Sequence, residues 1–436
     1  MTVITRFAPS PTGNLHVGNV RTALHNWLWA RKHGGRFLLR IDDTDRERSK
    51  EDYVEAIRTD LAWLGLDVDG EERQSARFAL YDEVFARLKA AGRVYACYET
   101  PEELDIRRKV LLSRGLPPVY ERRPDGAPVP EGRAPHWRFR LDHDAPIAWT
   151  DLIRGPQHFE PKTLSDPVVR RADGSWLYLL PSVIDDIAMG ISHVVRGEDH
   201  VSNTAAQIQM FEALGAAPPA FAHEALLVGT EGKLSKRLGA LGMADWRAAG
   251  IEPIALAALL ARLGTSDPVE PVTTLEPLIA GIDFARFGRA PARFDEAELA
   301  LLNQKILHHT PYAAVAPRLP AAIDEARWTA IRPNLATVAE AADWVAVFDG
   351  PFAPPAPDAA DRPVLAAAAV AAPAIDWSAD PWHALTGAAK AATGAKGRAL
   401  FLPLRRALTG RDHGPDMGEL LPLIARDEAI ARLSAA

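Results

Sequence analysis

The opening stretch of the chain constrains its architecture most. Residues 2–7 (TVITRF) read as a short strand, and Pro9, Pro11 and Gly13 hold the following APSPTGN irregular. Val20, Ala23, Leu24, Trp27, Leu28 and Arg31 then recur at helical spacing until Gly34-Gly35 ends the run. Residues 37–41 form a second apolar strand. Strand, helix and strand joined this closely make a βαβ unit with a parallel strand pair. The fold class expected is α/β.

The texture then changes along the chain. Residues 51–66 and 77–91 carry further helical periodicity. Between about 95 and 175, Pro and Arg cluster, residues 137–141 (WRFRL) alternate like a half-buried strand, and Asp173-Gly174 separates two strand-like runs as a hairpin signal. This block reads as an α+β insertion. The α/β pattern returns at 183–197, passes through a helix at 203–214 and gives a strand-like stretch at 225–228. From about 245 the chain reads as helical, with no strand pattern. Residues 351–375, with six prolines and an alanine run, read as a loose connector, and 376–436 as amphipathic helix. The boundaries expected are 1–94, 95–175, 176–244, 245–305 and 306–436.

Composition excludes several classes. The only cysteine, Cys97, permits neither an intramolecular disulfide nor a multi-cysteine zinc site, so a reducing compartment is expected. No apolar run approaches the roughly 18 residues of a membrane span. The segment MTVITRFAPSPTG lacks the basic and apolar regions of a secretory signal, so the cytoplasm is the expected location. The formal charge of −7 gives no global sign of nucleic-acid binding, although a local basic face matters more than the sum.

Four motifs fall at element ends. PSPTGNLHVGN (9–19) joins a strand to a helix start, whose free N–H groups and dipole suit a phosphate. There Gly18 permits close approach to the backbone, and His16 could donate to a phosphate oxygen. GKLSKR (232–237) follows a strand-like run and places two lysines three apart, as a polyphosphate-gripping loop requires. RIDDTD (40–45) and RGEDH (196–200) each end a strand, where open α/β sheets bind ligands. Taken singly, these are as well explained by a helix cap, a solvated loop and surface turns.

In this order, more than 200 residues apart, HVGN (16–19) and KLSKR (233–237) resemble the "HIGH" and "KMSKS" signatures of class I aminoacyl-tRNA synthetases. FAPSPTGNLHVGN, LLRIDDTDRERS, VVRGEDHVSNT and the C-terminal LFLPLRRALTGRDHGP resemble the bacterial glutamyl-tRNA synthetases. PSPTG and DDTD stand where the glutaminyl relatives show PEPNG and DDTN. The resemblance covers nearly the whole chain and is loosest from 245 to 395. It implies a Rossmann-type nucleotide-binding domain in two halves around an acceptor-stem-binding insertion. A helical stem-contact region and an all-helical anticodon-binding region follow.

The resemblance also implies the site. His16, Lys233 and Lys236 would be catalytic, with Gly18, Asn19, Asp199, Ser235 and Arg237 binding ATP and Mg²⁺ accompanying its phosphates. Arg6, Ala8, Ser10, Asp42, Tyr178, Ser182 and Arg196 would hold L-glutamate. The two guanidiniums would meet its side-chain carboxylate, and Asp42 with Ser10 its ammonium group. Ser182 stands where some relatives have Asn. Arg107 and Arg108 in the insertion, and Arg405 and Arg406 near the C-terminus, would contact tRNA-Glu. Whether tRNA-Gln is also charged is left open. Many relatives carry zinc in the insertion. Here Cys97-Tyr98-Glu99 replaces the usual CYC triplet and the later ligands are replaced, so no structural zinc is expected. Asn19 replaces the second signature His, and Leu238 stands where a His is common. A monomer is expected. A shortened paralogue is disfavoured by the roughly 130 residues beyond position 305. A non-catalytic RNA-binding paralogue is disfavoured by intact His16, Lys233 and Lys236.

Overall fold

The computed structural model describes residues 2–124, 126, 128–229, 242–350, 352 and 354–436. Lys233, Ser235, Lys236, Arg237 and Leu238 therefore lie outside the described residues. The chain forms two compact units, one of residues 1–247, 257–270 and 274–295, the other of 248–256, 271–273 and 296–436.

The first unit begins with β1 (Ile4–Phe7), α1 (Val17–Lys32) and β2 (Arg36–Ile41), and β1 and β2 pair in parallel from Ile4 opposite Arg36 to Phe7 opposite Leu39. Helix α1 buries Val17, Val20, Ala23, Leu24, Trp27 and Leu28. The chain returns to β2 through Gly35, where a Cβ would collide with the Val3 carbonyl. After α2 (Glu51–Trp63), β3 (Glu71–Arg73) extends the parallel sheet beyond β2. Helix α3 (Phe78–Ala90) leads into a differently built block.

In that block β4 (Val94–Cys97) pairs antiparallel with β5 (His136–Phe139), after the intervening α4 (Pro101–Ser113). The hairpin of β6 (Ile147–Asp151) and β7 (Gly155–Phe159) follows, and β8 (Val168–Arg170) then pairs with β5. Helix α4 starts with Thr100 and Glu103 in a reciprocal capping box behind Pro101. The chain then resumes with α5 (Leu179–Ala188), β9 (His193–Gly197), α6 (Val201–Ala213) and β10 (Ala220–Glu224), β9 and β10 again being parallel.

Three sequence expectations are corrected. The strand-like run at 225–228 is not one strand. β10 ends at Glu224, and β11 (Leu227–Gly229) starts afresh after an exposed Leu226. Fully buried His223 and Glu224 interrupted the apolar pattern that marks a strand. The region beyond 245 also contains a strand. After α7 (Met243–Ala248), α8 (Pro253–Arg262) and α9 (Glu276–Gly281), β12 (Ala292–Phe294) pairs in parallel with β11. Three residues are too few to show alternation. The alanine run of 351–375 is not a connector but α14, described next.

The second unit is helical: α10 (Glu296–Leu307), α11 (Tyr312–Val315), α12 (Glu325–Ile331), α13 (Val345–Asp349), α14 (Arg362–Ala371), α15 (Pro381–Thr393), α16 (Arg398–Thr409), α17 (Met417–Leu420) and α18 (Arg426–Ala435). Trp328, Phe348, Leu385, Leu404 and Leu420 are wholly buried there, and Val364, Leu365 and Ala368 of α14 pack among them. The last helix is tied in by Arg432, buried, which donates through Nη1 to the carbonyls of Val347 and Leu408, both at 2.7 Å. Those carbonyls end other helical segments, so the guanidinium serves as a C-terminal cap.

Candidate active site

Strands β1 and β9 are tied where Ser192 N–H donates to Ile4 O at 2.9 Å and Ile4 N–H donates to Ser192 Oγ at 2.8 Å. From there β2 and β3 continue to one side and β10 to the other. Parallel strands leaving in opposite directions open a crevice at their carboxyl ends. A cavity of about 800 Å³ lies there, lined by Arg6 to Ser10 after β1, Asp42 after β2, Arg196 and Gly197 on β9, and Ala225 to Leu227 after β10. His16, Gly18, Asn19, Tyr178, Asp199 and His200 also face it. Thus Ala8 and Ser10 line the same cavity as the first signature.

His16 is the N-cap of α1. Its Nδ1 accepts the backbone N–H of Gly18 at 3.1 Å and of Asn19 at 3.4 Å, and Asn19 Oδ1 accepts the His16 N–H at 3.4 Å. The ring is the helix cap, and with Nδ1 accepting, the proton sits on Nε2, free to donate into the cavity. Burial lowers the pKa of His16, which keeps the ring neutral. Two expectations change. The N–H groups of Gly18 and Asn19 are engaged by His16 and are not free for phosphate. Gly18 sits close against the imidazole itself, since a Cβ there would stand 3.1 Å from the ring's Cε1 and Nδ1 and push it by a few tenths of an ångström.

Arg6 and Arg196 both line the cavity, and they are held differently. Arg6 Nε donates to Asp186 Oδ1 at 3.1 Å, and its Nη atoms make no hydrogen bond within the described residues. Arg196 has only neutral partners: Nη1 donates to Tyr178 Oη at 2.9 Å, Nη2 to Thr204 Oγ1 at 2.6 Å and Gln207 Oε1 at 2.7 Å, and Nε to His223 Nε2 at 3.3 Å. Among the described residues no carboxylate forms an ion pair with it, and burial pushes its pKa below the usual arginine value. One Nη1–H is left over, and Tyr178, accepting from Arg196, keeps its own O–H to donate.

Asp42 is bound bidentately by Arg40, at 2.6 and 3.1 Å, and burial foremost raises its pKa to about 6. Arg40 is wholly buried, and it also donates to Asp186 Oδ1 at 2.7 Å and to Ser182 Oγ at 3.1 Å. Ser182 thus supports Arg40 from beneath and does not reach the cavity wall. Arg40 and Asp186 were missed as site-supporting residues, although Arg40 opened the RIDDTD motif. Asp43 is occupied by Ser75, through its N–H at 2.8 Å and its hydroxyl at 2.7 Å. Thr204 and Gln207 were also missed; they lie three apart on α6, immediately after RGEDH. Leu227 lines the cavity, as does Asn14, and an added Cβ at Gly242 would be 3.7 Å from Cβ of Asn14.

The basic residues proposed for RNA are unequal. Arg107 makes a long ion pair to Glu99 at 3.7 Å, and Arg108 is exposed. Arg406 is committed to Asp412 at 2.5 and 2.8 Å. Arg405, half-buried, donates to Pro415 O at 2.9 Å and lines a second cavity with Trp382, Arg398 and Phe401. In the insertion, Cys97, Glu99 and His136 each bring a donor within 4.8 Å of the others. The Tyr120 hydroxyl lies 3.2 Å from Glu99 Oε2 and 3.3 Å from Cys97 Sγ. The sequence reading overlooked His136. Three donors leave a tetrahedral structural zinc one ligand short.

Residues 2–300 match the family model for the catalytic domain of class I tRNA synthetases (E and Q), and residues 302–436 that of an anticodon binding domain. The chain is 86% identical over its whole length to glutamate–tRNA ligase 2 of Sphingopyxis alaskensis, 99% of which is covered. It is 66% identical to glutamate–tRNA ligase 1 of Novosphingobium aromaticivorans, again with both chains covered in full. The crystal structure of a glutamate tRNA ligase from Elizabethkingia meningosepticum in complex with its amino acid superposes with a TM-score of 0.82 at 28% identity, covering 100% of this chain and 99% of that one. No described helix is long and apolar enough to cross a membrane. Sequence match, domain order and a cationic crevice at the sheet's switch point agree: the chain belongs to the glutamate–tRNA ligases of the class I tRNA synthetase family.

Proposed function

We propose that the chain attaches L-glutamate to tRNA-Glu in two steps. The α-carboxylate of glutamate attacks the α-phosphate of ATP, giving glutamyl-adenylate and pyrophosphate. The 2′-hydroxyl of the terminal tRNA ribose then takes the glutamyl group and releases AMP. The protein's contribution is positioning and charge stabilisation. His16 donates from Nε2 to the triphosphate, with Asn19, Gly18 and Asp199 on the nucleotide side. Lys233 and Lys236, with Ser235 and Arg237, neutralise the pentavalent centre and the departing pyrophosphate, and Mg²⁺ travels with the ATP phosphates.

The observation that carries the substrate is Arg196, buried with neutral partners alone. A buried guanidinium without a counter-charge is costly, and a ligand carboxylate relieves that cost. The free fork of Arg6 receives the side-chain carboxylate of glutamate bidentately, while Arg196 gives one N–H and Tyr178 its O–H. Asp42 and Ser10 receive the ammonium group, beside the Ala8 backbone. Glutamine, being neutral, leaves Arg196 uncompensated, which sets the selectivity.

Arg107 and Arg108 are placed on the acceptor stem and Arg405 and Arg406 toward the anticodon, with the five segments 1–94, 95–175, 176–244, 245–305 and 306–436 as the working divisions. The protein acts as a cytoplasmic monomer, without structural zinc. Aminoacylation of separate tRNA-Glu and tRNA-Gln transcripts with labelled glutamate tests the reading. Charging of tRNA-Glu supports it, the tRNA-Gln lane reports discrimination, and incorporation of glutamine in place of glutamate refutes it.

A further inference from the structure

Behind Arg196 lies a buried pair that the proposed chemistry does not use. Asp151, the last residue of β6, and His223 of β10 are both buried, and Asp151 Oδ2 lies 2.5 Å from His223 Nδ1. The other carboxylate oxygen, Oδ1, accepts three backbone N–H groups, from Ile153 at 3.0 Å, Arg154 at 2.9 Å and His223 at 3.2 Å. The carboxylate is thereby fixed in orientation and has no freedom to exchange its oxygens. As it can only accept, the proton of the imidazole resides on Nδ1. The opposite nitrogen, Nε2, then presents a lone pair to Arg196 Nε at 3.3 Å and to Thr204 Oγ1 at 2.8 Å. Thr204 Oγ1 in turn accepts from Arg196 Nη2 at 2.6 Å. Two N–H groups of Arg196, one on Nε and one on Nη2, are thus directed by acceptors that trace back to Asp151, while Tyr178 and Gln207 hold two more.

We propose that Asp151 and His223 are positioning residues for substrate recognition, fixing the imidazole tautomer that holds the Arg196 guanidinium with its free N–H toward the substrate's side-chain carboxylate. This rests on the assignment of Arg196 to that carboxylate. The opposite tautomer would set an N–H of the ring against the N–H of Arg196, and the guanidinium would turn or withdraw. Asp151 pairs with the ring and not with the guanidinium, so among the described residues Arg196 keeps no carboxylate in ion-pair contact and its free N–H remains for the ligand.

The substitution that separates orientation from packing is Asp151→Asn. Its Oδ1 can keep the three backbone N–H groups, so the loop after β6 is retained. Its NH₂ then faces His223 Nδ1 and forces the proton to Nε2, an inversion of the kind known to disable an imidazole in a catalytic triad. KM for glutamate should rise about 10- to 100-fold, the usual cost of losing the orienting partner of an imidazole. KM for ATP and for tRNA, and the melting temperature, should stay near the wild-type values. In parallel, ¹⁵N spectra of histidine-labelled protein, with the His223 signal assigned by its loss in His223→Gln, should show Nδ1–H in the wild type and Nε2–H in Asp151→Asn. A raised glutamate KM together with the inverted tautomer supports the proposal. An unchanged glutamate KM in the presence of the inverted tautomer overturns it. So does a parallel rise in all three KM values with a lowered melting temperature, which would mark a merely structural pair. Arg196→Ala, measured alongside, distinguishes the two levels. If it leaves glutamate KM unchanged, the carboxylate assignment itself falls; if it raises KM while Asp151→Asn does not, only the positioning role falls.

Discussion

His16 has an observed duty and a proposed one, which two substitutions can separate. Its Nδ1 caps α1 through the N–H groups of Gly18 and Asn19, while its Nε2–H is the donor proposed for the triphosphate. Asparagine is a preferred N-cap whose side-chain oxygen takes the same N–H groups, but it lacks a donor at the Nε2 position. His16→Asn should therefore cost only a few tenths of a kcal/mol in stability. Its activation rate should fall about 10²–10³-fold, the loss of one preorganised donor to developing charge. That corresponds to about 3–4 kcal/mol of barrier at 1.36 kcal/mol per decade. His16→Ala removes both duties. It should show the same rate loss and an added cost of about 1 kcal/mol for the missing cap, a fall of about 2–4 °C in melting temperature for a unit of this size. The assays are glutamate- and tRNA-dependent pyrophosphate exchange into ATP, and thermal unfolding. A His16→Asn protein exchanging within about threefold of the wild type, when about 10²-fold is expected, would show that His16 is a cap and nothing more.

Other consequences can be checked. Burial raises the Asp42 pKa to about 6, so the carboxylate proposed to receive the ammonium group is lost as pH falls through that value. KM for glutamate should rise below pH about 6 and be flat above it. His200, held by burial to about 4, stays neutral through that window, and Asp42→Asn should abolish the inflection. Lys236→Ala should lower exchange about 10²–10³-fold with thermal stability unchanged, and a large loss of stability would instead mark a structural lysine. Trp328→Ala, which empties a fully buried site and leaves the Thr310 carbonyl with Arg332 as its donor, should destabilise the second unit by about 3–5 kcal/mol, read as a lowered melting temperature. Metal analysis of purified protein should find no stoichiometric zinc; one zinc per chain would show that Cys97, Glu99 and His136 recruit a further ligand.

What could be read from the sequence was what depends on local pattern. The βαβ start was legible because α1 follows a 3.6-residue period and Gly34-Gly35 breaks it. The cavity residues Arg6, Asp42 and Arg196 were legible because they end strands, and strand ends are where this sheet opens. What depends on distant partners was hidden. Buried His223 and Glu224 obscured β10, because a polar residue on a strand reads as exposed unless its partner is known. Glu224 meets His25 at 2.5 Å from a helix 199 residues away in the chain. The same blindness hid Arg40, which binds Asp42, and Asp186, which holds Arg6. His136 was missed beside Cys97 because antiparallel pairing of β4 and β5, not sequence spacing, sets Cys97 opposite it.

The most direct measurement is the ratio of kcat/KM for glutamate to that for glutamine in aminoacylation of tRNA-Glu, in the wild type and in Arg196→Gln. A guanidinium held only by neutral groups predicts a wild-type preference for glutamate of about 10²–10⁴. In the variant that preference should fall by about 10- to 100-fold, mainly through loss of glutamate, with Arg6 retaining the remainder. A variant that still prefers glutamate by the wild-type factor would contradict the claim that Arg196 reads the substrate's charge.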